Sequence, residues 1–411
     1  MNPVLAFVVV MLVWTISDMV AKRTKSLLSS LFVASIIFFI GFLTGIFPDD
    51  LLASSSLLAL AGVVVGFIIV HLGTMISLDD FKKQWRTLLV GIATVIGIGV
   101  ALWIAGLTFG GGVQPGVYDA VAASRPMDYV IAGVGALSGG TISVLIVQEA
   151  ALDVGLSSVA VFPVLIAALQ GLIGFPLTSI ILRREAARLK TEYRAGNLHT
   201  ETAVEEGPED DAPTPAPSQS RLPAALQTTP GTLFVVGVAV LISILINNLT
   251  DGILNTFVVA LVLGIALRTL RVFKPSVLSG IDAFGLMMLA IMILVFGPLA
   301  TVEPADVAAL AFPLLLAFLF GVAGIVLFSA IMGKLVGYTV PMSIAIGLTA
   351  LFGFPGTMIL SQEAAKGAGE SPEEVAAIEG EILPKMIVAG FSTVTITSVI
   401  VTSIIAGGIG R

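Results

Sequence analysis

The 411 residues are 57% hydrophobic and 11% charged, with a mean hydropathy of +1.06, whereas soluble domains carry about 25% charged residues. The absence of cysteine excludes a disulfide framework and thiolate chemistry. The two histidines argue against a histidine-rich metal centre, and the net charge of −7 without a dense basic patch argues against a nucleic-acid partner. What remains is an all-α integral membrane protein with lipid as its solvent.

Taken in chain order, apolar runs of roughly 18 to 25 residues, long enough to cross about 30 Å of hydrocarbon, begin near Pro3, Leu27, Ser55, Leu88, Ser157, Gly231, Gly252, Ser276, Val307 and Ile382. They predict ten transmembrane helices. The first lacks a preceding basic residue and a small-residue cleavage site, so it is expected to be a retained span rather than a signal peptide. Two further apolar stretches, 129–151 and 339–365, are interrupted by SGGT at 138–141 and GFPGT at 353–357. Each half is about ten residues, or about 15 Å at the helical rise, enough to reach the bilayer midplane and return. Both stretches are therefore predicted to be re-entrant hairpins.

Charge tests that count. With ten crossings and two hairpins, Lys22, Arg23, Lys25, Lys82, Lys83, Arg86, the cluster Arg183, Arg184, Arg188 and Lys190, then Arg268, Arg271, Lys274 and Lys334 all fall on one side. The opposite loops hold Asp49, Asp50, Asp251, Glu303 and Asp306, with Arg125 their one cation before Arg411. The positive-inside rule then places both termini outside a cell membrane and the central loop in the cytoplasm. That loop, rich in acids, proline and small residues, cannot build a core and is expected to be a disordered linker over 184–230.

The linker divides two related halves. Residues 136–155, ALSGGTISVLIVQEAALDVG, lie without gaps over 350–369, ALFGFPGTMILSQEAAKGAG, with 8 identities that include all of QEAA. The first repeat is thus 1–183 and the second 231–411, each with five spans and a hairpin. Five is odd, so the second copy is expected upside down, an inverted-topology repeat.

That architecture suggests chemistry at the two breaks. Hairpins entering from opposite faces bring their tips together near the midplane. A returning half-helix offers free N–H groups and positive potential to an anion, and the outgoing one offers carbonyls to a hard cation such as sodium. The expected substrate contacts are Ser138, Gly139, Gly140, Thr141, Gly353, Pro355, Gly356 and Thr357. Gln148 and Gln362 join them because each lies seven residues beyond a tip residue on one helix face. Lys385, the one basic residue of the last span, is a countercharge candidate, although a lysine near a helix end commonly snorkels to the interface. Coupling-ion candidates are Ser138, Thr141, Ser143, Thr357, Ser361, Glu149 and Glu363. The two glutamates sit eight to ten residues past the tips, about 12 to 15 Å toward the surface, where a carboxylate at the hairpin mouth is an equal reading. Close packing is the plain alternative for the glycines. His71 is expected to pack with its ring hydrogen-bonded, and Asp18, Asn247 and Asn248 to be interfacial.

The two vertices carry a family resemblance. Gly139-Gly140 in SGGT and Gly353 with Gly356 in GFPGT partly match a Gly-Gly-X-Gly vertex. With two inverted halves of five spans, the chain resembles the sodium–glutamate symporters and the related 2-hydroxycarboxylate carriers. The resemblance implies a homodimer and an elevator-type mechanism. Citrate-type carriers use an arginine for the substrate carboxylate, and none stands in the last spans here. An amino acid or a monocarboxylate is the substrate this implies, with no cofactor beyond sodium. A cation–proton antiporter would need carboxylates at the tips, and an intramembrane enzyme a dyad or metal motif, and the sequence has neither. A proton-coupled carrier, an exporter or a channel of this fold stays open.

Overall fold

The computed structural model describes residues 1–75, 84–109, 126–198, 222–223, 226–250, 254, 256–279, 281, 283–391 and 397–410. Lys82, Lys83, Arg125, Asp251, Arg411 and the acidic stretch of the linker at 199–221 lie outside the described residues. Among those described, every regular element is helical. In chain order they are α1 (Pro3–Arg23), α2 (Ser30–Leu43), α3 (Leu51–Ser54), α4 (Leu57–Met75), α5 (Trp85–Phe109), α6 (Pro126–Leu137), α7 (Thr141–Asp153) and α8 (Ser157–Arg194). After the linker follow α9 (Thr229–Leu249), α10 (Thr256–Thr269), α11 (Phe284–Ile293), α12 (Pro304–Ala309) and α13 (Ala311–Leu335). The chain ends with α14 (Val340–Leu348), α15 (Gly356–Ala368), α16 (Pro372–Phe391) and α17 (Ser398–Ala406). Short 3-10 turns occupy Gly297–Thr301 and Thr349–Leu351.

Among the described residues, seven helices are long and apolar enough to cross a membrane. The surface agrees with a lipid solvent. On α1, Val4, Val8, Leu12, Ile16 and Met19 are exposed at helical spacing, while the smaller Ala6, Val10, Val13, Ser17 and Ala21 are buried. Water would penalise such a stripe of large apolar side chains, whereas lipid tails accept it.

The described helices depart from the expected boundaries in five places, although seven of the ten expected runs contain a span-length helix. Helices α2 and α10 have 14 residues each, about 21 Å of rise and short of a full hydrocarbon thickness. The run expected from Ser276 becomes helical only at Phe284 and tightens into a 3-10 turn at Gly297 and Pro298. The last span starts at Pro372, ten residues ahead of Ile382, and is described as two helices, α16 and α17. Finally, the linker expected from 184 is helical through Arg194. There the run REAARLKTEYR consists largely of good helix formers, and Arg188 pairs with Glu185 and with Glu192 on the same face.

Helix lengths recur between the halves: α1 and α9 have 21 residues, α2 and α10 have 14, α5 and α13 have 25, and α7 and α15 have 13. Contacts divide the chain into two compact units. The smaller comprises 56–85 and 200–294. Within it α4 packs on α9, α10 and α11. Gly73 and Gly264 let the α4 and α10 backbones touch, and an added Cβ at either would strike the other helix's main chain. His71 is buried here, and its Nδ1 accepts the Leu278 N–H at 3.1 Å, which is the packing role expected of it. Asn247 caps locally, its Nδ2 donating to the Leu254 carbonyl at 2.8 Å.

The larger unit comprises 1–55, 86–199 and 295–411. Its axis is α8, which packs against α2, α6, α7, α14, α15 and α16. Helices α5 and α13 cross where Gly97 and Gly324 leave no room for a side chain between them.

Candidate functional site

Both sequence breaks are real helix interruptions, and glycine is what permits them. Gly139 and Gly140 adopt φ of 87° and 89°, and Gly353 adopts 55°, conformations that a Cβ disfavours. Helix α6 ends at Leu137 and α7 begins at Thr141, and the two lie against each other with Gly135 facing Val147. Their outer ends also meet. The Asp128 Oδ1 near the start of α6 accepts the Gly410 N–H at 2.9 Å, and Val154 after α7 rests on Gly410. At the second break α14 and α15 each pack on α8, and their far ends reach its other end. Thr339, before α14, donates to Glu185 at 2.8 Å. Glu370, after α15, receives Lys190 at 2.6 Å and Arg194 at 2.7 Å.

Helix α8 gives the depth of each break. Gly133 of α6 faces Phe162 and Ile166, so Ser138, five residues on, projects to about residue 171 of α8 at about 1.5 Å per residue. At the second break, Leu351 and Phe352 rest on Gly174. The breaks therefore come to nearly one level of α8, and Ala136, Leu137, Ala350 and Leu351 belong to one buried cluster with Ile166 and Ile325. Along α8, Phe162, Ile166, Gln170, Gly174 and Thr178 are four apart and form one ridge, which passes that level at Gln170 and Gly174.

That ridge contains two residues absent from the sequence-based candidates. Gln170 is 9% exposed and its Oε1 meets no donor, and Thr178 is fully buried with an unpartnered hydroxyl. An amide in mid-span of an apolar helix was the available signal for Gln170, since such groups are costly in lipid unless used. Of the expected residues, Thr357 joins them. It is fully buried beside Gly390 of α16, and its Oγ1 is also unpartnered.

Other candidates are placed differently. Ser138 is buried but its hydroxyl turns back to the Gly135 carbonyl at 3.2 Å. Ser143 is paired with Ser398 of α17 at 2.9 Å, and Ser361 donates to the Thr357 carbonyl at 2.6 Å. The side chain of Thr141 lies outside the described residues. Gln148 and Gln362 are half-buried and Glu149 is exposed. The N–H groups of Thr357 and Met358, expected to be free at the second tip, return to the carbonyls of Gly353 and Pro355 at 3.0 and 3.1 Å. The tight GFPGT turn thus satisfies its own first amides. Neither cap residue, Gly140 before α7 nor Pro355 before α15, makes a side-chain hydrogen bond to its helix, and the first tip is formed by Gly139 and Gly140 where the second has Gly353, Pro355 and Gly356.

The charged candidates separate as well. Lys385 is inside α16, not at its start, and its Nζ binds Glu381 Oε2 at 2.6 Å and the Glu381 carbonyl at 2.7 Å. It lines a small polar pocket of about 110 Å³ with Glu185, Arg188, Tyr338 and Thr339. Its charge is thus met by Glu381 within the same helix, while Glu363 binds Ser30. Asp18 pairs with Lys22 near the end of α1. Around the outer end of the second break, Lys190 and Arg194 hold the Glu370 carboxyl down to about 2, and Arg194 also pairs with Glu374 at 2.6 Å. Among the described residues no group of three or more potential metal-ligating His, Cys, Asp or Glu side chains occurs.

No known protein family matches the chain, and no characterised protein matches it in sequence.

Proposed function

We propose that this protein is a secondary active transporter that carries a small organic anion, an amino acid such as glutamate or a monocarboxylate, in symport with sodium. The observation that carries the reading is the pair of broken helices opening at opposite ends of α8, with both breaks reaching the Gln170 to Gly174 level. In this reading each pair, α6 with α7 and α14 with α15, is a re-entrant hairpin, and the halves of matching helix lengths are inverted repeats. The glycine-capped start of α7 faces the substrate's carboxylate. Oxygen atoms without donors, Gln170 Oε1 and Thr357 Oγ1, serve the coupling cation or the substrate's own donors. Substrate and ion cross when the hairpin-bearing helices shift as a body, an elevator-type alternating access in a homodimer.

Uptake of radiolabelled amino acids and monocarboxylates into proteoliposomes, with and without an inward sodium gradient, tests this. Saturable uptake of one of them that requires sodium is expected. Uptake indifferent to the gradient for every compound tried would refute sodium coupling, and unsaturable single-channel currents would replace the carrier by a pore.

A further inference from the structure

Glu363 lies on α15 where three segments of the larger unit meet. Its Oε1 accepts the Ser30 N–H at 3.0 Å and the Ser30 hydroxyl, in the first turn of α2. Its main-chain carbonyl accepts the Ser26 hydroxyl at 2.9 Å, and the Ser26 carbonyl accepts the hydroxyl of Ser179 on α8. Three hydroxyls therefore stitch the loop between α1 and α2 to α15 and α8. The other carboxyl oxygen, Oε2, is buried and meets no donor.

The charged groups around it do not supply one. Asp18 of α1 faces Glu363 but is committed to Lys22 at 2.7 Å, and Lys366 of α15 is exposed. Helices α2 and α8 contribute only hydroxyls, Ser30 and Ser179. On α16, Glu374 pairs with Arg194 and Glu381 with Lys385. An ionised Glu363 would keep one oxygen between two donors and leave a charged oxygen with neither water nor partner, an arrangement proteins avoid. A carboxylic acid resolves it, with Ser30 still donating to Oε1 and the proton carried on Oε2.

We propose that Glu363 is a proton-binding site, protonated while α15 is latched to the loop between α1 and α2. When that end of the hairpin separates from Ser26 and Ser30, Oε2 meets water and releases its proton, with no other bond made or broken. The coupling of this exchange to translocation rests on the transporter reading, whereas the protonation itself does not.

Infrared difference spectroscopy of the full-length protein in lipid decides the protonation. The wild type is expected to show a carboxylic-acid C=O band at neutral pH that disappears in Glu363→Gln, a substitution that keeps an acceptor for Ser30. In Ser30→Ala the band should shift, because the C=O loses its hydroxyl donor. A carboxylic-acid region unchanged by Glu363→Gln overturns the proposal. Uptake then tests the coupling: wild-type uptake should vary with pH by up to about tenfold per unit, the limit for one titrating proton, and Glu363→Gln should flatten that profile. A Glu363→Gln profile identical to wild type refutes the coupling. Absence of any uptake would count against the transporter reading alone and leave the infrared result standing.

Discussion

Replacing Gln170 by methionine separates a structural from a functional role for the ridge on α8. Methionine nearly conserves the volume, and such exchanges cost under about 1.5 kcal/mol. The buried Oε1 that it removes meets no donor in the protein, and an orphaned buried acceptor costs about 1–3 kcal/mol. The net expectation is a small gain in stability, about 1 kcal/mol. If the same oxygen binds sodium or a donor of the substrate, the variant loses an interaction with a charged group worth about 1.5–3 kcal/mol, or about 10- to 100-fold in uptake efficiency. Thermal unfolding in detergent and initial uptake rates in proteoliposomes measure the two quantities side by side. A more stable, transport-deficient variant is expected, the pattern of a strained functional site. A variant that unfolds earlier yet transports normally would refute the reasoning, because Gln170 would then be a bonded core residue.

Gly174→Ala should impair both folding and uptake, since its Cβ would stand 2.9 Å from Leu351 Cβ and Phe352 Cδ1, while Gly99→Ala, with nothing within 4 Å, should do neither. Overpacking costs about 1–3 kcal/mol and the helix gains back about 1 from alanine, so equal melting temperatures for the two variants would contradict the contact. Glu370 bears on pH. Its carboxyl is depressed to about 2 by Lys190 and Arg194, so the stabilisation is fully present above the ordinary carboxylate range and is lost as pH falls through about 2. An acid melting series should show that loss flattened in Glu370→Gln. Lys385→Ala should leave uptake nearly unchanged, because its ammonium is held by Glu381 within one helix turn, and a complete loss of transport would restore it to the substrate site.

Much of the helical framework was legible in the sequence because lipid imposes one rule on every span: backbone polar groups must be satisfied within the segment, so long apolar runs become helices. The breaks at 138–141 and 353–357 were legible for a related reason, since glycines at positive φ and a proline interrupt that pattern wherever they occur. The helical extension of α8 to Arg194 was less so, because polar composition reads as linker until paired charges such as Arg188 and Glu192 are seen on one face.

The sequence by itself determined where helices form and where they break, because those outcomes depend on hydrophobicity and local backbone preference over a few neighbouring residues. Tertiary structure alone decided partners. Glu149 and Glu363 occupy the same place in two copies of QEAA, yet one is exposed and the other is bonded to Ser30, 333 residues away. Serine hydroxyls that looked equivalent are spent on Gly135, Ser398 or their own helix, whereas the buried oxygens of Gln170, Thr178, Thr357 and Glu363 are among those left unspent. Hydrogen bonds act over about 3 Å, and only the fold brings residues that far apart in sequence to that distance.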